Sequence, residues 1–225
     1  MIISGTSPGC AGECKVFNFE RSDEPIKTMD ADRISHFAEE EGASIRRAEK
    51  ERSGLVAAHE AGHAVAAACF GRDVEYVQSG QNAHCSYSSS ARGETSEEAM
   101  VICSLAGAMA ASKSAGIIKI PDDDYLGGFF DKARRGESGQ CDACHAAWII
   151  WVASPVDDDG YLADRYRQHL QAASDLFDIP VVRSYTRRLA RALEERTLLD
   201  HAEVKVLIDA DALRTARLEL LVGAS

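Results

Sequence analysis

One segment limits the fold of this chain more than any other: residues 53–70, where two histidines interrupt an otherwise apolar helical stripe. The stripe runs at helical spacing from Val56 through His59 and His63 to Phe70, so the two imidazoles project from the same side of a helix, one turn apart. Burying an imidazole without a polar partner is unfavourable. The pattern therefore predicts a core helix whose histidines either hydrogen-bond to their neighbours or share a metal ion.

Composition favours a folded, acidic protein. The chain has 225 residues with 45% hydrophobic residues, and its 25 Lys+Arg stand against 36 Asp+Glu, so a sizeable core is expected and a general nucleic-acid binder is not. Residues 1–14 lack the basic start and apolar run of a leader, and the longest apolar run, 146–156, is about half of a membrane span. We expect a cytoplasmic protein whose seven cysteines are thiols rather than a disulfide framework.

Hydrophobic periodicity predicts a mainly α fold with a small β hairpin or sheet. Residues 1–29 show no periodicity and are predicted to form a flexible N-terminal arm, and residues 30–225 to form a single domain. Strands are expected at 74–78 and 83–88, joined by a turn at 79–82. Helices are predicted at 30–51, at 53–70 with Gly71 closing it, at 96–113, from Asp122 onward, and at 138–153, 160–177, 181–196, 201–208 and 211–221.

The histidines belong to the pentapeptide His59-Glu60-Ala61-Gly62-His63, which matches the His-Glu-x-x-His motif of zincins. In such a site zinc keeps one coordination position for water and polarises the scissile carbonyl. Glu60 is then the predicted general base, which takes the proton of that water and passes it to the leaving amine. The motif predicts peptide-bond hydrolysis, and the alternative is a helix with two hydrogen-bonded core histidines.

A catalytic zinc site needs a third protein ligand, and the residues leave several candidates. Metzincin spacing places it at Cys69, but the helix lacks the glycine that would let the chain turn back. Glu97 or Glu98, on the next helix, would give a thermolysin-like arrangement. The acidic run 122–124 is the remaining candidate, although carboxylates at a helix start also cap free N–H groups.

The longer segment His59-Glu-Ala-Gly-His-Ala-Val65 resembles the peptidase domain of the FtsH-type ATP-dependent zinc metalloproteases. Later segments agree in order: a short β region, the sequence Leu105-Ala106-Gly107 on a helix, and an Asp before a hydrophobic residue at a helix start. The resemblance implies that this Asp is the third zinc ligand. In this chain the matching residue is Asp124, with Asp123 as the alternate. It extends over a zinc core at roughly residues 45–150, followed by a helical tail at 155–225.

The resemblance implies a stand-alone zinc metalloendopeptidase with a zincin-like, FtsH-type fold. The chain contains no Gly-x-x-x-x-Gly-Lys-Ser/Thr motif, so the ATPase module of that family is expected to be absent, as are its membrane spans. Without an unfoldase, the expected substrate is a flexible or unfolded polypeptide. A homo-oligomer or a separate ATPase partner stays open, and the alternative function is a non-catalytic zinc-binding or adaptor domain that retains the peptidase fold.

A second motif, Cys141-Asp-Ala-Cys144-His145, matches the pattern of c-type haem attachment. Haem attachment is not expected without an export signal. An additional metal site is a further alternative. Because the motif continues into an apolar helical run, ordinary helix residues are the favoured interpretation.

Overall fold

The computed structural model describes residues 53–80, 82–88, 96–117, 120–137 and 141–223. The predicted arm at 1–29 and the predicted helix at 30–51 lie outside these ranges. The helices are α1 (residues 53–69), α2 (Glu97–Ala115), α3 (Asp123–Arg134), α4 (Asp142–Ala153), α5 (Asp159–Asp178), α6 (Pro180–Arg196), α7 (His201–Leu207) and α8 (Ala210–Gly223), and the strands are β1 (Asp73–Gln78), β2 (His84–Ser88) and β3 (Leu198–Asp200). The mainly helical fold with a small sheet is confirmed.

Several helices begin where the sequence offers an oxygen acceptor at the N-cap. The side chains of Ser96, Asp122, Asp158 and Asp200 each accept a hydrogen bond from the backbone N–H three residues later, which satisfies a donor that the first turn leaves unpaired. At the other end of α1, Gly71 adopts a φ of 71°, a left-handed conformation that closes the helix as predicted. Local sequence therefore fixes several of the helix boundaries.

The three strands form one antiparallel sheet in the order β2-β1-β3. The hairpin of β1 and β2 is confirmed, with Val77 opposite Cys85. The third strand, β3, was not predicted from the sequence. It places Leu199 opposite Val77 on the other side of β1. All three residues are buried, so one face of the sheet joins the helical core.

Helices α1 and α2 approach each other closely because small residues face each other where they cross. A Cβ atom added to Gly62 would lie 2.6 Å from the carbonyl oxygen of Ala106 and 2.6 Å from the Cβ of Ala110, distances too short for a real contact. Helix α4 packs against α2 and α3, with Ile149 and Ile150 buried. This packing brings the first turn of α4 to the histidine face of α1.

Candidate metal centre

The two histidines of α1 lie against α2 in a partly enclosed position. The Nε2 atoms of His59 and His63 are 3.1 Å apart. His63 Nδ1 lies 2.8 Å from the backbone carbonyl oxygen of Cys103 on α2. Since a carbonyl oxygen only accepts, Nδ1 carries the proton and donates this bond. The Nε2 atom of a neutral His63 is consequently a lone-pair donor directed at His59.

Asp142, the first residue of α4, completes the group. Its Oδ2 atom lies 2.9 Å from His59 Nε2 and 3.2 Å from His63 Nε2. Two nitrogens and one carboxylate oxygen thus meet at one point, each within hydrogen-bonding distance of the other two. Among the described residues, these three side chains form a group able to hold a metal ion.

Asp142 and the two histidines shift one another's pKa values. Burial by itself would lower the pKa of His63, but the charge and hydrogen bond of Asp142 outweigh it and raise that pKa to about 9. Burial opposes ionisation of Asp142, yet the two histidines hold the pKa of its carboxyl well below the usual range. In the metal-free protein, a proton on His63 therefore offsets the negative charge of Asp142, and a bound metal ion would displace that proton.

Gly107 leaves room beside the two nitrogens. A Cβ atom at this position of α2 would lie 2.4 Å from His63 Nε2 and 2.6 Å from His59 Nε2. A side chain of any size would therefore displace the imidazoles. The glycine of the Leu105-Ala106-Gly107 sequence thus has a steric role at the histidines, in addition to its part in the family resemblance.

The site is open to solvent on one side. The side chain of His63 is 10% exposed, whereas those of His59 and Asp142 are 30% and 40% exposed. A water molecule or small ligand can therefore reach the group past His59 and Asp142. The deeper side is closed by Gly107 and the carbonyl of Cys103 on α2.

Glu60 lies next to His59 on α1 and is buried. Burial raises the pKa of its carboxyl, while the charges of His63 and His59 act in the opposite direction. Because Glu60 and His63 are three residues apart, they share one side of the helix. A partly desolvated carboxylate beside the histidine pair is chemically suited to accept a proton.

The third ligand predicted from the sequence is not in the group. Asp124 is exposed in the first turn of α3, and Asp123 pairs with Arg167 of α5. Asp122, the first of the three acidic residues, caps α3 through the backbone N–H of Tyr125. The structure brings Asp142 to the histidines instead. Within the acidic run, the contacts support helix capping, which Asp122 provides.

The other candidate ligands also lie elsewhere. Glu97 pairs with Arg165 and lies 3.2 Å from His169 Nε2 on α5, and Glu98 is exposed. Cys69 is buried at the end of α1, and burial raises the pKa of its thiol to about 12. None of the three joins the group of ligand atoms at His59 within the described ranges.

The Cys-x-x-Cys-His motif forms the start of α4. The Sγ atom of Cys141 accepts a hydrogen bond from the N–H of Cys144 at 3.4 Å. His145 Nδ1 lies 3.0 Å from the hydroxyl of Ser104, and its ring stacks on Trp148. The three residues do not form a metal-binding group of their own in the described part of the chain.

The sequence analysis did not predict Asp142 as a ligand, because it lies inside a Cys-x-x-Cys-His motif whose cysteines and histidine are the usual metal ligands. The apolar run that follows Asp142 could have indicated it, since such a run predicts a buried helix and the first residue of a buried helix lies near the core. Asp124 has no comparable apolar run, since Gly127 and Gly128 follow it.

No protein-family model and no curated protein matches the chain. The likeness to FtsH-type peptidases therefore stays a prediction from the motifs. Of the helices described, none has both the length and the apolar character needed to cross a bilayer.

Proposed function

We propose that this protein is a zinc-dependent metalloendopeptidase in which His59, His63 and Asp142 hold the metal ion and Glu60 is the general base. The observation that carries the proposal is the meeting of three ligand atoms on two helices with a buried glutamate beside them. Both histidines and the glutamate belong to one His-Glu-x-x-His sequence. The combination is that of a catalytic rather than a structural zinc site.

The spacing of the ligand atoms supports zinc. Zinc–nitrogen and zinc–oxygen bonds of about 2.0–2.1 Å in tetrahedral geometry place neighbouring ligand atoms roughly 3.3 Å apart. The three separations of 2.9, 3.1 and 3.2 Å are close to that value. A zinc ion held by two imidazoles and one carboxylate would have three protein ligands, the number typical of catalytic rather than structural zinc sites.

His59, His63 and Asp142 would hold the zinc ion, which would act as a Lewis acid able to lower the pKa of a water molecule and polarise a carbonyl. Glu60 accepts a proton at its carboxylate and returns it to the leaving amine. Its burial favours the neutral form after proton uptake, as the raised pKa indicates. His63 is held in position by its bond to the carbonyl of Cys103, which fixes the tautomer that ligates through Nε2.

A polypeptide substrate is supported by the edge of the sheet. In the described part of the chain β2 pairs only with β1, and a strand edge of this kind is the surface to which an extended peptide would add. His84 begins this strand, and its pKa is lowered by burial and by the charge of His63. The edge therefore begins within electrostatic reach of the site. We expect flexible or unfolded chains as substrates. Self-assembly and a separate ATPase partner are further proposals.

The experiment that tests the proposal compares Glu60→Gln with the wild-type protein. Cleavage of fluorescently labelled casein should fall at least about 100-fold, the lower end of what a general base contributes, while about one zinc per chain is retained. Glu98→Gln, the same change at an exposed position of α2, is the matched control and should cleave normally. Unchanged cleavage by Glu60→Gln contradicts the mechanism, and zinc without chelator-sensitive cleavage by the wild type favours the non-catalytic zinc domain.

A further inference from the structure

Two cysteines flank the carboxylate that faces the histidines. Cys141 immediately precedes Asp142, and Cys144 follows it by two positions. Both are thiols, with no disulfide among the described cysteines. The proposed function gives the pair no role, although it shares one helical turn with a proposed metal ligand.

The geometry of this turn suits a disulfide. Cys141 is the N-cap of α4 and Cys144 is the third residue of its first turn. Helix geometry puts Cα atoms three positions apart at about 5 Å, inside the roughly 4.4–6.8 Å range of disulfides. The 3.4 Å bond between Cys141 Sγ and the N–H of Cys144 shows that the first sulfur already points toward the second cysteine.

The two thiols differ in accessibility in the way that an exchange reaction needs. Cys141 is partly exposed, whereas Cys144 is buried among core residues. Of the two residues, Cys141 is therefore the one that a small disulfide would meet first. The inner cysteine is then placed to resolve the mixed disulfide from within the protein.

We propose that Cys141 and Cys144 form a redox-sensitive dithiol that is oxidised by a low-molecular-weight disulfide and thereby withdraws Asp142 from the histidine pair. Cys141 loses its proton to solvent, and its sulfur attacks the small disulfide, whose S–S bond breaks to release one thiol. Cys144 then attacks the sulfur of Cys141, loses its proton, and expels the second thiol. Two cysteine thiols are oxidised by two electrons while one small disulfide is reduced to two thiols.

Oxidation acts on Asp142 through the turn that it shares with the two cysteines. Cys141 Sγ already points toward Cys144, so closure of the S–S bond draws the buried side chain of Cys144 toward it and tightens the first turn of α4. Asp142 lies between the two anchored residues and moves with this turn. Its contacts of 2.9 and 3.2 Å with the imidazoles do not survive displacements of an ångström.

This inference rests on the proposed metal site and links it to the redox state. If the disulfide form binds zinc tenfold more weakly, saturating zinc favours the dithiol by the same factor. For a two-electron couple, that factor raises the midpoint potential of the cysteine pair by about 30 mV. Zinc and oxidation therefore oppose each other in both directions.

The test uses the full chain, equilibrated with mixtures of glutathione and glutathione disulfide. Peptide mapping after trapping of thiols identifies the disulfide, and competition with a chromophoric chelator measures zinc affinity in the reduced and oxidised forms. We expect an intramolecular Cys141–Cys144 disulfide and zinc affinity reduced at least about tenfold. The variants Cys141→Ser, which keeps an N-cap oxygen, and Cys144→Ala should bind zinc equally well under both conditions.

Each outcome has a separate meaning. Formation of the disulfide with unchanged zinc affinity overturns the switch, and so does failure of these two cysteines to pair. Loss of zinc on oxidation in the two variants as well assigns the effect to other thiols and also overturns it. Absence of zinc from the reduced wild-type protein contradicts the metal site itself, which separates failure of the proposed function from failure of the switch.

Discussion

The candidate site depends on a single glycine as much as on its ligands. The position of a Cβ on Gly107 lies within 2.6 Å of both Nε2 atoms. The histidines can converge only because α2 has no side chain there. The site thus has two separate requirements: the ligand atoms must be in place, and position 107 must carry no side chain.

Gly107→Ala should abolish zinc binding at stoichiometric metal, because the added methyl group displaces the imidazoles. Overpacking of this kind costs about 1–3 kcal/mol of unfolding free energy. Gly128→Ala is the matched control, since a Cβ there meets nothing within 4 Å, and the change in a helix interior should stabilise the protein by up to about 1 kcal/mol. Elemental analysis and urea denaturation measure both effects; normal zinc content in Gly107→Ala would refute the steric role.

Asp142→Asn should weaken zinc binding by at least about 10–100-fold, the loss seen even for residues that only orient a ligand. Asn keeps the size of the side chain but removes the charge that the two imidazoles share. Asp124→Asn makes the same change at the exposed position that the family resemblance indicated, and should leave zinc affinity unchanged. Chelator competition on the two purified variants decides between the aspartates, and the reverse order would restore Asp124 as the ligand.

The sequence was sufficient to predict that His59, Glu60 and His63 lie together, because their spacing on one helix settles it. The identity of the carboxylate partner was not predictable in this way. His63 and Asp142 are 79 positions apart, and their contact depends on how α4 packs against α2. Local spacing carries no information about such a contact.

At the scale of the elements, helix boundaries follow from local chemistry and strand pairing does not. Asp200 begins α7 through a reciprocal capping box with Glu203, a pattern visible in the sequence. By contrast, β3 has only three residues and lies between two helices. Its pairing with β1 is decided by burial of Leu199, which a three-residue window cannot reveal.

The junction between α6 and β3 carries backbone strain that a substitution can relieve. Thr197 has a φ of 58°, a left-handed conformation that is unfavourable for a β-branched residue. Relief of the strain, less the entropy cost of glycine, means that Thr197→Gly should raise the unfolding free energy by roughly 0.5–1 kcal/mol and the melting temperature by about 1–4 °C. The bond from Ser79 N–H to the Thr197 carbonyl, 2.7 Å, uses the backbone and is retained.

Thr197→Val is the control for this prediction, since it keeps the β-branch and the strain. Thermal denaturation of the three proteins in parallel provides the measurement. Equal melting temperatures for the glycine and valine variants would show that the strain does not contribute to stability.

At the scale of the whole molecule, the metal-free site links stability to pH. The pKa of His63 in the folded protein is about 9, above the value of about 6.5 in an unfolded chain. The folded state therefore binds this proton more tightly. Its contribution to stability is fully present below about pH 6.5 and is lost as the pH rises through about 9.

The unfolding free energy of the metal-free protein should accordingly fall between pH 6.5 and pH 9. His63→Asn can retain a bond to the Cys103 carbonyl but has no proton to lose, so its decline should be smaller. Burial raises the pKa of the Cys69 and Cys103 thiols to about 12, which adds the same decline to both proteins at high pH. The difference between them, from urea titrations in the presence of a chelator, isolates His63; parallel curves would exclude its linkage to folding.

The separation of Asp142 from the histidine pair also has a consequence for the order of synthesis. At about 5–20 residues per second, a ribosome needs roughly 4–16 s to synthesise the 79 positions from His63 to Asp142. During that interval the nascent chain offers two imidazoles without their carboxylate. A metal ion that requires all three can be captured only after α4 has emerged and docked, so its uptake would report completion of the fold rather than formation of α1.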